Sequence, residues 1–536
     1  MSHNKAAETE FGRRLMLQGI FAGGVATLLP SSVWAASSEV VVKTRQGSLK
    51  GLRKPGVCEF RGIRYAEPQT AGNRFKAPIP LKNWSGVRDA TRNGNVALQA
   101  PNGTSMTPWQ APFAPENTRS EDCLFLNVFT PSVTGSAKRP VMFWIHGGGF
   151  ARGSGSMAAY DGANLATYGD VVVVSINHRL NAFGYLYLAE LGGADFADSG
   201  NAGMLDIVEG LRWVRDNIAN FGGNPDNVTI FGQSGGGAKV STILGMPAAA
   251  GLFHKAIVQS GSSVRQKSRE SGTDVAKTVM QKLGITKADD LRLAPTDALV
   301  AASDRATPVV DGKNLPESSF DPVATSLVKS IPVMIGTTQT ETSSLRGISR
   351  YDIESDAQLA EALKTYFGDK TSDLIAGYKS NHPELSPQDL YFRMTTDQTF
   401  RSPAILQAER KVALKGAPVY MYYVTWKTPV DEKKWQSPHA VELPFIFRHQ
   451  KLPLMIDAVG SGTAQDRLTD AMSAAWVAFA KTGDPSNRVS GAWAPYDLDT
   501  RRTMIFGDQR MVVSDPDAGD RRLFSAMRES ALLRGG

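Results

Sequence analysis

The residues best able to do chemistry lie in Ile230-Phe231-Gly232-Gln233-Ser234-Gly235-Gly236-Gly237-Ala238, a Gly-x-Ser-x-Gly sequence. The apolar run before it reads as a strand and the stretch after it as a helix. A serine between them would sit on a strained turn that tolerates only small neighbours and lifts the hydroxyl above a sheet. The helix N-terminus would turn unpaired N–H groups and a partial positive charge towards it. The chemistry expected of Ser234 is nucleophilic attack on a carbonyl.

A second glycine cluster, His146-Gly147-Gly148-Gly149-Phe150, follows the apolar run 141–145. Acyl transfer puts negative charge on a carbonyl oxygen, and consecutive glycines let backbone N–H groups approach it closely. Gly148 and Gly149, with Gly235 after the serine, are the expected donors of an oxyanion hole. A phosphate-cradling loop is the competing reading, but no lysine follows at the required spacing and no GxGxxG is present.

A serine nucleophile needs a base. Of seven histidines, His439 combines a late position with a loop leaving an apolar run, Val419 to Val424. The others lie in the N-terminal segment (His3), beside the oxyanion glycines (His146), at strand borders (His178, His254) or in polar surroundings (His382, His449). A third residue must hold the imidazole and stabilise its protonated form. Glu341 is the first carboxylate beyond the run Ile331-Pro332-Val333-Met334-Ile335-Gly336, and Asp397 is the alternative.

Positioning these groups takes a sheet. Short apolar runs at 141–145, 171–176, 227–231, 255–258, 331–335 and 419–424 alternate with helical patterns. Leu205, Val208, Leu211, Val214 and Ile218 form one apolar helical face that ends at Gly222-Gly223. Near-continuous apolar strands separated by helices predict a mostly parallel central sheet buried on both faces. Residues 36–70 read as an extended antiparallel lead-in, and 264–325 and 350–410 as large helical insertions.

With these residues in place, the chain resembles the type-B carboxylesterase family, which includes cholinesterases and bacterial p-nitrobenzyl esterases. The resemblance runs over nearly all of residues 36–536. It is carried by Phe60-Arg61-Gly62-Ile63-Arg64-Tyr65-Ala66-Glu67-Pro68, Glu121-Asp122-Cys123-Leu124, Asn177-His178-Arg179-Leu180, the serine segment, Gln259-Ser260-Gly261-Ser262, and Trp476-Val477-Ala478-Phe479-Ala480 before Gly483-Asp484-Pro485. It implies an α/β-hydrolase fold, a Ser234–His439–Glu341 triad and hydrolysis of carboxylic esters through an acyl-enzyme. It further implies that Ser260 supports the triad from behind and that the loop 101–120, with Trp109 and Phe113, overhangs a substrate pocket.

Three departures stand out. Gln233 and Gly235 replace the family's usual Glu and Ala around the serine, which removes a carboxylate and points away from cationic alcohols. Glu341 lies in Thr-Glu-Thr rather than Asp-Glu-Gly. Cys123 matches a half-cystine whose usual partner region, 95–99, has no cysteine. The two cysteines, Cys58 and Cys123, are therefore read as packed thiols or a single bridge, and the family disulfide is expected to be absent.

An amidase, carbamate or thioester hydrolase would use the same groups. A non-catalytic binding protein of the same family would have lost the serine. No cofactor or metal is implied, and the sequence carries no signal of oligomeric state. The net charge of +7 is spread among acids, without a basic run or aromatic interleaving, so nucleic acid is not an expected partner.

At the N-terminus, Arg13-Arg14 runs into an apolar stretch from Gly19 to Leu29 and then Val33-Trp34-Ala35. This resembles a twin-arginine export signal over residues 1–35, with Sec-type export as the alternative route. The expected product is one hydrolase domain, residues 36–536, in the periplasm or outside the cell. No later run reaches about 18 apolar residues, so no stable membrane insertion is expected.

Overall fold

Residues alternate between two apolar layers along every central strand. On β5 (Arg139–Ile145), Val141, Phe143 and Ile145 enter one core, while Met142 and Trp144 enter the other. The same alternation holds on β6 (Val172–Ile176), β7 (Gly223–Gln233), β8 (Lys255–Gln259), β9 (Val333–Thr338) and β10 (Val419–Val424). Strands apolar on both sides are stable only inside a sheet covered on both faces. These are the six runs expected from the sequence. The fifth begins two residues late, at Val333, because Pro332 has no N–H to offer a neighbouring strand.

This computed structural model describes residues 38–101, 111–114, 117–303, 305–345 and 347–534. The expected export segment and Trp109 lie outside them. The lead-in forms β1 (Ser38–Lys43), β2 (Ser48–Lys54) and β3 (Val57–Arg64), paired antiparallel. The main sheet also holds strands that were not among those expected, including β4 (Phe125–Thr130), β11 (Arg502–Phe506) and β12 (Arg510–Ser514).

In the main sheet the strands run β1-β2-β3-β4-β6-β5-β7-β8-β9-β10-β11-β12, with Val87–Asp89 beside β2. All pairs from β6 to β11 are parallel. The result is the α/β-hydrolase fold.

Helices cover both faces. The helix α1 (Ala202–Asn217) carries the expected apolar face and buries Leu205, Val208, Leu211 and Val214 against one side. With it lie α2 (Gly235–Ile243) and α3 (Ser402–Ala413), while α4 (Thr463–Thr482) covers the opposite face through Leu468, Met472, Trp476 and Phe479. The stretch 350–410 is helical as expected, and three of its helices share a separate apolar cluster. No described helix is long and apolar enough to cross a membrane.

The order β6-β5-β7 is what places a site. The chain leaves β5 towards one edge to form β6, then crosses back to form β7 on the other side of β5. The connections that leave the carboxyl ends of β5 and β7 thus head in opposite directions, to β6 and to β8, and leave a crevice between them. The glycine loop follows β5 and Ser234 follows β7.

Candidate active site

Ser234 adopts φ 59° and ψ −126°, a backbone region that costs a non-glycine residue about 1–3 kcal/mol. Its neighbours hold it there. Its N–H donates to the carbonyl of Gln259 on β8 at 2.8 Å, and the Ala238 N–H donates to its own carbonyl at 3.0 Å. The tightness of the turn excludes side chains: a Cβ on Gly261 would strike the Ser234 carbonyl oxygen.

The glycine loop packs directly on this turn. A Cβ on Gly235 would run into the carbonyl oxygen of Gly149, and one on Gly147 would stand 3.5 Å from the Ser234 Cβ. Gly148 and Gly149 take φ of 91° and 62°, which presents successive peptide groups in a curve that L side chains rarely allow. Behind the loop, the His146 and His178 rings stack at 4.5 Å. Burial and then the charge of Lys239 hold His146 down to about 3, and burial and then His146 hold His178 well below the usual range.

His439 and Glu341 meet although they come from different loops. The Nδ1–H of His439 donates to Glu341 Oε2 at 2.5 Å, and the other carboxylate oxygen accepts the Thr338 N–H at 2.7 Å. Glu341 opens a short turn after β9 and is fully buried. The two loops are laced together. Thr340 Oγ1 accepts from the Ser437 N–H at 2.9 Å, Ser437 Oγ donates to the Val424 carbonyl, and the His439 N–H donates to Ser344 Oγ.

With Nδ1 carrying the proton, Nε2 presents a lone pair. It lies 3.1 Å from the amide nitrogen of Gln233, the residue before Ser234.

Beneath the pair, Trp476 Nε1 donates to Gln259 Oε1 at 3.1 Å, and Gln259 Nε2 donates to Glu442 Oε1 at 3.2 Å. Burial first, and the Glu341 carboxylate second, raise Glu442 to about 7.

Asp397, the alternative acid, accepts from Tyr378 at 2.6 Å and stands 3.9 Å from Arg401, within the helical insertion. The Ser260 hydroxyl is buried without a hydrogen-bond partner among the described residues, although the Ser260 N–H bonds the Gly336 carbonyl at the end of the neighbouring strand. Phe113 packs on Tyr160 with ring centres 6.0 Å apart. Cys58 and Cys123 are both buried free thiols. Away from the crevice, His382, Asp517 and Asp520 approach one another, but Arg393 forms ion pairs with both acids at 3.0 Å, so this is a charge network already supplied with a cation.

The sequence reading missed Lys239, Glu442 and the Thr340–Ser437 lacing. Lys239 alone left a signal, since it lies one helical turn beyond Gly235 and so must face the same way.

Comparisons with known proteins bear on the family and the fold. The model of the carboxylesterase family matches residues 38–520. The para-nitrobenzyl esterase of Bacillus subtilis is 37% identical over 510 residues, covering 91% of this chain and 99% of its own. A Geobacillus stearothermophilus carboxylesterase structure superposes with a TM-score of 0.79 at 36% identity, over 90% of this chain and 99% of that one. A Clostridium hathewayi esterase described as able to hydrolyse aliphatic aromatic polyesters gives 0.77 at 35% identity, over 92% and 100%.

Proposed function

The chain belongs to the carboxylesterase family and is a carboxylic ester hydrolase, and from that premise we propose that it cleaves esters of uncharged alcohols through an acyl-enzyme on Ser234. The observation that carries this reading is the Glu341–His439 hydrogen bond, whose imidazole turns its Nε2 to the side chain of Gln233, the residue next to Ser234.

In the forward step, Ser234 Oγ attacks the ester carbonyl as its proton passes to His439 Nε2. The carbonyl oxygen, now anionic, is held by the N–H groups of Gly148, Gly149 and Gly235. Glu341 stabilises the imidazolium without taking its proton. Collapse breaks the C–O bond to the alcohol, which leaves with the proton from His439. Water then attacks the acyl-enzyme by the same route and releases the acid. The proposal gives Ser260 a supporting role behind this pair and assigns Trp109 and Phe113 to the loop over the substrate. The test is a fluorophosphonate probe, which should modify Ser234 stoichiometrically by peptide mass analysis. Modification of another residue, or of none, would sink the assignment.

Gln233 bears on alcohol preference because it places a neutral amide where a carboxylate would attract a cation. Gln233→Glu should move the acid limb of kcat/KM up by about one pH unit. A carboxylate beside Nε2 favours the imidazolium, so the free base would be populated only at higher pH. A limb that stays fixed or moves down would show that Gln233 does not act on the base.

The proposal extends to residues 1–35 as a twin-arginine export leader and to a mature single domain, 36–536, in the periplasm or medium. N-terminal sequencing of the exported protein should begin at or near Ala36. Retention of Arg13-Arg14 on the exported chain would refute the leader.

A further inference from the structure

We propose that Lys239 is a positioning residue that ties the glycine loop to the first turn of α2 and so fixes the spacing of the two limbs of the oxyanion hole. The inference rests on the oxyanion role proposed above for Gly148, Gly149 and Gly235.

Lys239 is fully buried, and its hydrogen bonds to described residues all go to backbone carbonyls. Nζ donates to Gly149 at 2.6 Å, to Gly235 at 3.3 Å and to His146 at 3.4 Å, and sits 4.9 Å over the Phe150 ring. Two of these carbonyls belong to the loop after β5 and one to the helix that starts at Ser234. One cation therefore bridges the two segments whose N–H groups face the substrate. An ammonium has three protons, enough to serve all three oxygens.

Stability does not account for this placement. A cation in the first turns of a helix opposes the helix dipole, which favours anions there. Among the described residues no carboxylate pairs with Lys239, and burial holds its ammonium down to about 7. An apolar residue at this position would escape the desolvation cost of a buried charge. A local choice that is unfavourable on two counts is most often found where geometry matters for function.

The geometry also explains why a clamp is needed. The loop is rich in glycine, and the backbones of Gly149 and Gly235 touch where neither has a side chain to wedge them in place. Oxyanion donors work only if they are already aimed when charge develops. Tying the carbonyls of His146, Gly149 and Gly235 fixes the peptide units that carry the N–H groups of Gly147, Phe150 and Gly236, and so restrains the backbone flanking the three donors. The Gly149 carbonyl belongs to the next peptide unit along, so its tether restrains the loop just after the Gly149 donor.

The test is Lys239→Met in the full chain, assayed with a p-nitrophenyl ester and with a trifluoromethyl ketone, which mimics the tetrahedral oxyanion. We expect kcat to fall about 10- to 100-fold with KM little changed. The ketone inhibition constant should rise by the same factor, while Tm need not fall. Loss of packing alone would lower Tm and leave the ratio of ketone to substrate affinity constant. Lys239→Gln, which keeps an amide donor for the carbonyls, carries the same readout if the methionine variant folds poorly, with a smaller loss expected. A folded variant of either kind with unchanged kcat and unchanged ketone affinity would overturn the proposal. Fluorophosphonate labelling of the wild type separates this from failure of the underlying reading: an unlabelled Ser234 refutes the triad, whereas normal labelling with a silent Lys239 variant refutes the clamp alone.

Discussion

Ser234→Ala should lower kcat about 10⁶-fold, leaving only the residual acceleration that substrate binding and the oxyanion donors supply. The expectation rests on covalent participation: without Oγ there is no acyl-enzyme, and His439 can at best activate water at a site shaped for attack from the elbow. Substrate affinity should change little, because the hydroxyl is a small part of the contact surface. The fold should survive or gain stability, since alanine is no worse than serine at φ 59° and removes only a hydroxyl. Steady-state kinetics on a p-nitrophenyl ester, with circular dichroism as a folding control, would decide it. A variant that kept even a hundredth of the wild-type rate would place the nucleophile elsewhere.

Glu341→Gln should cost about 10⁴ in kcat. The amide has nearly the same shape, and its oxygen can still accept from His439 Nδ1 or from the Thr338 N–H. It cannot stabilise an imidazolium, and with its NH₂ turned to the ring it would favour the tautomer whose proton sits on Nε2, facing the serine. Asp397→Asn makes the contrast. Asp397 is raised to about 6, chiefly by burial, and its contact is with Tyr378 rather than with a histidine. That variant should alter Tm while kcat stays within a few-fold of wild type. If Asp397→Asn abolished turnover and Glu341→Gln did not, the two acids would have to exchange roles.

The parts legible in the sequence were those written by local rules. The strands at 141–145 and 419–424 announced themselves by unbroken apolar runs, and α1 by its three- and four-residue spacing. Ser234 and the glycine loop were legible because a sharp turn and a close backbone approach both demand small residues. The strand Arg502–Phe506 was not, since it is five residues long, starts with a charged residue and borders acidic turns. Lys239 escaped for a different reason. A lysine in a helix normally marks a solvated face, and that expectation outweighs the one signal it left, its place one turn beyond Gly235. The Thr340–Ser437 lacing pairs residues 97 positions apart, and no pattern in either segment signals the other.

The strand order also bears on how the molecule comes into being. The serine follows β7, the glutamate β9 and the histidine β10, with the long insertion 350–410 between the last two. No amino-terminal fragment ending before β10 can hold both the base and its carboxylate. The contacts that join them are distant in sequence and close late, after the loop-closure entropy of the intervening chain has been overcome. With the triad proposed above, activity therefore reports that β7, β9 and β10 have come together. During refolding, helical signal should return before activity, and a ribosome-bound chain should remain inert until nearly its whole length has emerged.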